Sequence, residues 1–361
     1  MAYTTINDPS AHFQSQIYTG NGSTQSITNQ GNSNLKPDFI WIKDLGSPND
    51  HKLSDSNRGS TYTMESNTNE VEYNDTNAVT SFDTDGFSLG NNSNVNDNSA
   101  PNVAMQWKAN GGTTASNSDG SITATVQANT TAGFSIISYT GTGSNGTIGH
   151  GLSKAPEYWV VKPRTNVSDN QWFACHTDIS FRTSTSYADY FIHWDTDGGK
   201  QDNALMWNDT KPTATTISLG TKSGTNGNGG SFVCYAWHSV KGYSKFGGYD
   251  GNGQDDGPFV YCGFKPALVW FKRADASAGW FMFNKDKPKF NVMNQRILTN
   301  TNAALDTSND NRIDFLSNGF KIRDDGTGMN TNTAAYMFMA WAQNPLVASN
   351  NVAATTRGVQ A

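Results

Sequence analysis

Six histidines (His12, His51, His150, His176, His193 and His238) are the side chains best suited by type to act as general bases or metal ligands. Their spacing builds no site: there is no HExxH and no histidine pair at i, i+4. A zinc centre wants tight ligand pairs, and Cys175, Cys234 and Cys262 are scattered. Cys234 and His238 lie four positions apart, but on a strand that spacing separates two side chains by about 13 Å. Glycoside hydrolysis would need two carboxylates roughly 5–10 Å apart. The acid pairs Asp83/Asp85, Asp195/Asp197, Asp255/Asp256 and Asp324/Asp325 nearly all sit beside glycine in turn-like segments, where turn chemistry accounts for them. Calcium held in the DxDG turns by Asp83, Asp85, Asp195 and Asp197 is the remaining metal candidate, since carboxylate and carbonyl oxygens suit it. No catalytic residue is assigned, no enzyme is expected and no cofactor is implied.

The aromatic residues offer a different chemistry. Rings exposed near Asn/Asp-rich loops can stack on the apolar faces of sugars while amides fix the hydroxyls. Trp172, Trp194, Trp207 and Trp280 lie outside the strand-like runs described below and are the candidates for such a platform. The competing reading is that they fill the interior.

The elements that must position these residues follow from composition and repetition. The chain has 361 residues, a net charge of −6, 16% charged residues and 12% aromatic residues; its mean hydropathy is −0.60. Polarity without charge, combined with many rings, points to short strands, many turns and an aromatic core. No apolar run reaches the length of a membrane span. The opening residues have neither a basic start nor an apolar stretch, so no Sec-type signal is expected. The acidic balance leaves no electrostatic footprint for nucleic acid.

Three passages share a pattern. Tyr18-Thr19-Gly20-Asn21-Gly22 returns as Tyr139-Thr140-Gly141-Thr142-Gly143 and as Tyr249-Asp250-Gly251-Asn252-Gly253. After each comes a proline-led apolar run ending in lysine: Pro37 to Lys43, Pro156 to Lys162, Pro266 to Lys272. The prolines lie 119 and 110 residues apart, and the lysines keep those offsets. A Gly-Phe element (Gly86-Phe87, Gly319-Phe320, with Ile217 to Gly220 as a degenerate copy) and an aromatic strand ending in Trp107, Trp237 or Trp341 close each passage. The pattern predicts an all-β chain of three tandem antiparallel sandwiches, jelly-roll or lectin-like, over 17–112, 133–242 and 243–345. Residues 113–132 read as a connecting hairpin or link, and 1–16 and 346–361 as arms for docking onto neighbours. The YxGxG glycines are expected to supply positive φ. The tryptophans inside the repeats (Trp41, Trp107, Trp159, Trp237, Trp270 and Trp341) are expected in the core.

The stretch Gly133-Phe134-Ser135-Ile136 to Gly143, then Gly149-His150-Gly151-Leu152 and Ala155-Pro156, resembles a module of marine tailed-phage proteins of the cyanophage type. Those modules run GFSIxxYTGxG…GHGLxxAPxxxxVK. The resemblance covers roughly 17–357 and is strongest over 117–164. The first and third passages depart from it: no GHGL is present, with Asn32 to Leu35 and Tyr261 to Phe264 in its place. It implies a tail-fibre-like virion structural protein, made in the host cytoplasm and acting on the particle exterior. It assigns no catalytic residue, so His150 reads as a turn residue. Abutting sandwiches would make a rigid rod. Other virion proteins and further copies of the chain are the implied partners, a trimer by analogy, with a host-surface glycan as the ligand if the appendage touches its host. A glycan-binding adhesin and a polysaccharide depolymerase are the alternative readings.

Overall fold

The structure, a computed structural model, describes residues 3–180 and 185–350. It is an antiparallel β protein. Three main sheets thread their strands in one order. In the first, an opening strand (Phe13–Thr19) pairs with a closing strand (Pro101–Trp107), followed by the lysine-ended strand (Phe39–Asp44), Lys52–Asp55 and Gly59–Met64. In the second the order is Phe134–Thr140, Ser231–Trp237, Tyr158–Pro163, Phe173–His176 and Tyr190–His193. In the third it is Ser244–Asp250, Ala335–Pro345, Phe264–Arg273, Trp280–Asn284 and Ile297–Leu298. Pro37 and Pro156 precede their lysine-ended strands, where no ladder donor is required, and Pro266 lies inside its strand at a register shift, a position that proline tolerates.

A smaller sheet covers one face of each main sheet. The covers are Gln25–Thr28 with Gly86–Leu89 and Val79–Asp83, then Gly146–Gly149 with Thr216–Leu219, then Phe259–Tyr261 with Gly319–Ile322 and Ile313–Leu316. Alternation decides what each strand buries. Ile40 and Ile42 pack with Ile27, Phe87 and Leu89 inside the first sandwich. Val269 and Phe271 pack with Val260, Phe320 and Ile313 inside the third. The other face of each main sheet, with Phe39, Trp41, Tyr158, Leu268 and Trp270, joins one cluster shared by all three sections.

That shared cluster corrects the expected rod. Trp41 meets Trp270 edge-on at 5.3 Å, Trp107 meets Trp341 at 5.3 Å, Phe39 stacks on Tyr235 at 4.5 Å and Tyr158 meets Trp270 at 6.0 Å. The first section thus touches the third as closely as the second touches either, and the sandwiches surround a common centre. Each such ring pair adds about 0.5–1.5 kcal/mol beyond its buried area.

The ends and the link are also placed differently from the expectation. Phe13 to Gln16 belong to the opening strand, Ile6 is buried, and Tyr3 donates to the Gly263 carbonyl at 2.9 Å, so the described part of 1–16 is body and not arm. Within 113–132, Ala115–Asn117 and Ala124–Asn129 extend the second main sheet at its edge. Leu346 donates to Gly263 and Ser349 exchanges two bonds with Asn7; residues 351–361 of the second expected arm lie outside the described residues.

A clamp recurs at each YxGxG turn. Tyr18, Tyr139 and Tyr249 donate to the carbonyls of Val95, Thr225 and Met329. The next residue in each case, Asn96, Asn226 or Asn330, is fully buried, and its side-chain oxygen accepts from the turn at Asn21, Thr142 or Asn252. The two glycines differ in role. Gly22, Gly143 and Gly253 hold φ of 67°, 70° and 65°, as expected. Gly20, Gly141 and Gly251 are needed for close approach: a Cβ there would lie 2.1, 2.4 and 2.1 Å from a backbone oxygen.

Candidate functional site

None of the four candidate tryptophans offers a ring face to a ligand. Trp172, Trp194, Trp207 and Trp280 are all buried to within 1%. Trp194 is wedged among Trp41, Trp172 and Trp270 at 4.8–5.0 Å. Trp207 packs on Trp159 and donates to the Tyr190 carbonyl. Trp172 and Trp280 pin one sandwich to the next: Trp172 Nε1 donates to the Glu65 carbonyl at 2.8 Å, and Trp280 Nε1 to the His193 carbonyl at 2.9 Å. The six tryptophans of the repeats are buried, as expected.

By strand register, the first-section counterpart of Trp172 and Trp280 is His51. Its Nε2 faces the carbonyls of Leu298 and Thr301 at 3.2 and 3.1 Å, and its Nδ1 accepts from Trp41 Nε1 at 2.8 Å. Only the neutral Nε2–H tautomer satisfies both sides. Burial, with Lys43 nearby, lowers its pKa to about 3. The three contacts run second to first, third to second and first to third, so the seams close on themselves.

The repeat lysines sit beside these seams. Lys43 Nζ donates to the carbonyls of Asp44, Ser47 and Asn49. Lys162 reaches Asn170 and, across the seam, Thr68; Lys272 reaches Arg273 and, across the next seam, Asp197. Burial lowers Lys43 to about 8 and Lys272 to about 7, and lowers Lys162 as well. These ammoniums cross-link loops.

The calcium candidates are already engaged. Asp83 accepts from Ser81 and Ser88, and Asp85 accepts from the Leu35 N–H. Asp195 is half-buried near Lys162, its pKa raised by desolvation, and the Asp197 carbonyl takes Lys272. Among the described residues no three His, Cys, Asp or Glu side chains converge as a metal site. Sequence reasoning missed a buried ionic chain across the first seam. Arg58 bonds Asp55 and Glu72, Glu72 also takes Arg164, and Tyr235 donates to Asp55 at 2.6 Å.

Exposed rings are found elsewhere, on the small sheet of the third sandwich. Phe259 and Tyr261 are 45% and 55% exposed on its edge strand, and Phe290 is 69% exposed in the segment that bonds to Phe315 at the other edge. Phe259, Lys321 and Asp314 form one cross-strand row. Between the rings, Lys321 pairs with Asp256 at 2.8 Å and Arg323 with Asp314 at 2.6 Å. Strand register places Ser26 and Thr28 of the first sandwich, and Thr147 and Gly149 of the second, where the third has Phe259 and Tyr261.

The family described as Domain of unknown function (DUF7483) matches residues 8–345. No curated protein and no solved structure matches the chain.

Proposed function

We propose that this chain, which belongs to the DUF7483 family with a match spanning all three sandwiches, is a structural, non-catalytic component of a tailed-phage particle, a tail fibre, spike or head/neck appendage, built by triplication of one sandwich. The observation that carries this reading is the use made of the recurring motifs. The phage-like residues Tyr139 and Gly141 form a clamp that recurs in the other two sections, and Lys162 forms a seam contact that recurs at Lys272, while Lys43 ties loops within its own section. Motifs devoted to rigidity suit a part that transmits load or spaces other parts. Mass spectrometry of purified particles, with antibody labelling to locate the chain, tests the proposal. Recovery at constant copy number with the particle supports it; absence from particles while present in infected cells refutes it.

A second reading, a host-surface glycan adhesin, is supported by the exposed rings of Phe259, Tyr261 and Phe290. The two are compatible if the appendage is the part that meets the host.

A further inference from the structure

We propose that the outer face of the third sandwich's small sheet is a binding surface for a neutral oligosaccharide, held on the rings of Phe259, Tyr261 and Phe290. The proposal rests on the adhesin reading and gives it a location and a ligand class. Its main support is a comparison the molecule makes with itself. The first sandwich presents Ser26 and Thr28 at the positions of Phe259 and Tyr261, on the same kind of edge strand, with Ile27 and Val260 equally buried between them. The architecture therefore tolerates small polar residues at both positions; the Tyr261 hydroxyl meets that of Tyr3 at 3.3 Å, but that contact needs neither the exposure of its ring nor the Phe259 ring beside it. Exposed apolar groups gathered within a polar rim mark an interaction site.

The chemistry between the rings selects the ligand. Lys321 is matched by Asp256 and Arg323 by Asp314, so the ledge presents fixed polar groups with their charges compensated. The core of a protein–protein interface is depleted of charge, whereas here ion pairs stand among the rings. An oligosaccharide alternates apolar ring faces with hydroxyl edges and matches that pattern. The polar groups are held in place beside the ring: Lys321 stands in the cross-strand row of Phe259, and Asp314, next in that row, anchors Arg323. Phe290 lies across three strands from Phe259, too far for one sugar ring to touch both, so the ligand is a chain.

The test uses the full chain on a printed array of neutral gluco-, galacto- and manno-oligosaccharides, with titration calorimetry on the best binder. The double variant Phe259→Ser/Tyr261→Thr carries the first sandwich's own residues and gives up only the exposed hydroxyl contact of Tyr261 with Tyr3, so its melting temperature should stay close to that of the wild type. Tenfold or greater loss of affinity in this variant, and in Phe290→Ser, supports the ledge. Unchanged affinity overturns the ledge and leaves the adhesin reading standing on another surface. A wild-type chain that binds nothing on the array overturns both, while the virion proposal is judged separately by particle composition. Should the double variant instead dissolve a homo-oligomer without changing sugar binding, the ledge is a self-interface and the proposal fails.

Discussion

Trp280 donates its indole N–H to the His193 carbonyl at 2.9 Å, across the boundary between the third sandwich and the second. Trp172 repeats the contact on Glu65 and His51 repeats it on Leu298, so the three sections are joined as a closed cycle. Replacing Trp280 by Phe keeps a ring and removes the donor, leaving a buried carbonyl unpaired. That costs about 1–3 kcal/mol. Because the seams share one aromatic core, denaturant unfolding of Trp280→Phe should remain a single transition at a lower midpoint. Loss of the third section in a separate, earlier step would show that the sections are energetically independent.

Asn226 is the strictest test of the clamp. Its amide nitrogen donates to the carbonyls of Ser144 and Gly220, at 2.7 and 2.8 Å, while its oxygen accepts from Thr142. Asn226→Asp preserves shape but turns two donated bonds into contacts between oxygens and buries a charge. A loss of about 3 kcal/mol or more is expected, with faster amide exchange confined at first to residues 141–146. Tyr139→Phe, which removes one hydroxyl bond to Thr225, should cost about 1 kcal/mol. Equal effects from the two changes would remove the asparagine from its central role.

These particulars show how far the sequence could be read. The lysine-ended runs and closing tryptophans announced themselves because a strand buried on both faces needs unbroken apolar character, as Phe39 to Ile42 have. Periodicity says that a face is buried, but not against what. Ile40 therefore looked equivalent to Trp41, although one faces its own small sheet and the other faces two foreign sections. Trp172 and Trp280 looked spare because the first section carries His51 at that position, and only strand register reveals the match. Asn96, Asn226 and Asn330 each stand eleven residues before a closing tryptophan. That signal was present, but a polar residue in a turn reads as surface until its partners are known. Phe259 and Tyr261 were hidden for the opposite reason: alternating aromatic residues in a strand read as core.

The ionic chain at the first seam should behave as a unit. Arg58 is fully buried between Asp55 and Glu72, and Tyr235 brings the second section to the same carboxylate. Arg58→Met leaves the buried Asp55 carboxylate without its cation and Glu72 with Arg164 alone, at a cost of about 3–5 kcal/mol. Adding Asp55→Asn and Glu72→Gln to that variant should recover most of the loss, because the orphaned charges go with the guanidinium. If the triple variant is no more stable than the single one by urea unfolding, packing of the Arg58 side chain, and not charge, holds the seam.

Acid should loosen the molecule through its buried histidines before the carboxylates dominate. Burial lowers His51 and His176 to about 3 and His150 to about 4, against an ordinary value of 6.5. As pH falls through 6.5 the unfolded chain takes up protons that the folded chain refuses. Stability is therefore full above that value and is lost progressively down toward 4 and 3. Each histidine contributes up to about 1.4 kcal/mol per pH unit in that window. Asp195 opposes them: its raised pKa means that the folded state binds a proton first, which favours folding as the pH drops toward its ordinary range. Asp178 and Asp209 are raised in the same sense, but all six histidines are lowered, and six against three leave a net loss. Urea midpoints measured from pH 7 to pH 4.5 should therefore fall steadily. His51→Gln, which keeps a side-chain N–H near the Leu298 carbonyl, should lower stability at pH 7 but flatten the pH dependence by one proton. An unchanged slope in that variant would mean that His51 is protonated in the folded state, and with it the tautomer that lets Trp41 donate to Nδ1 would be lost.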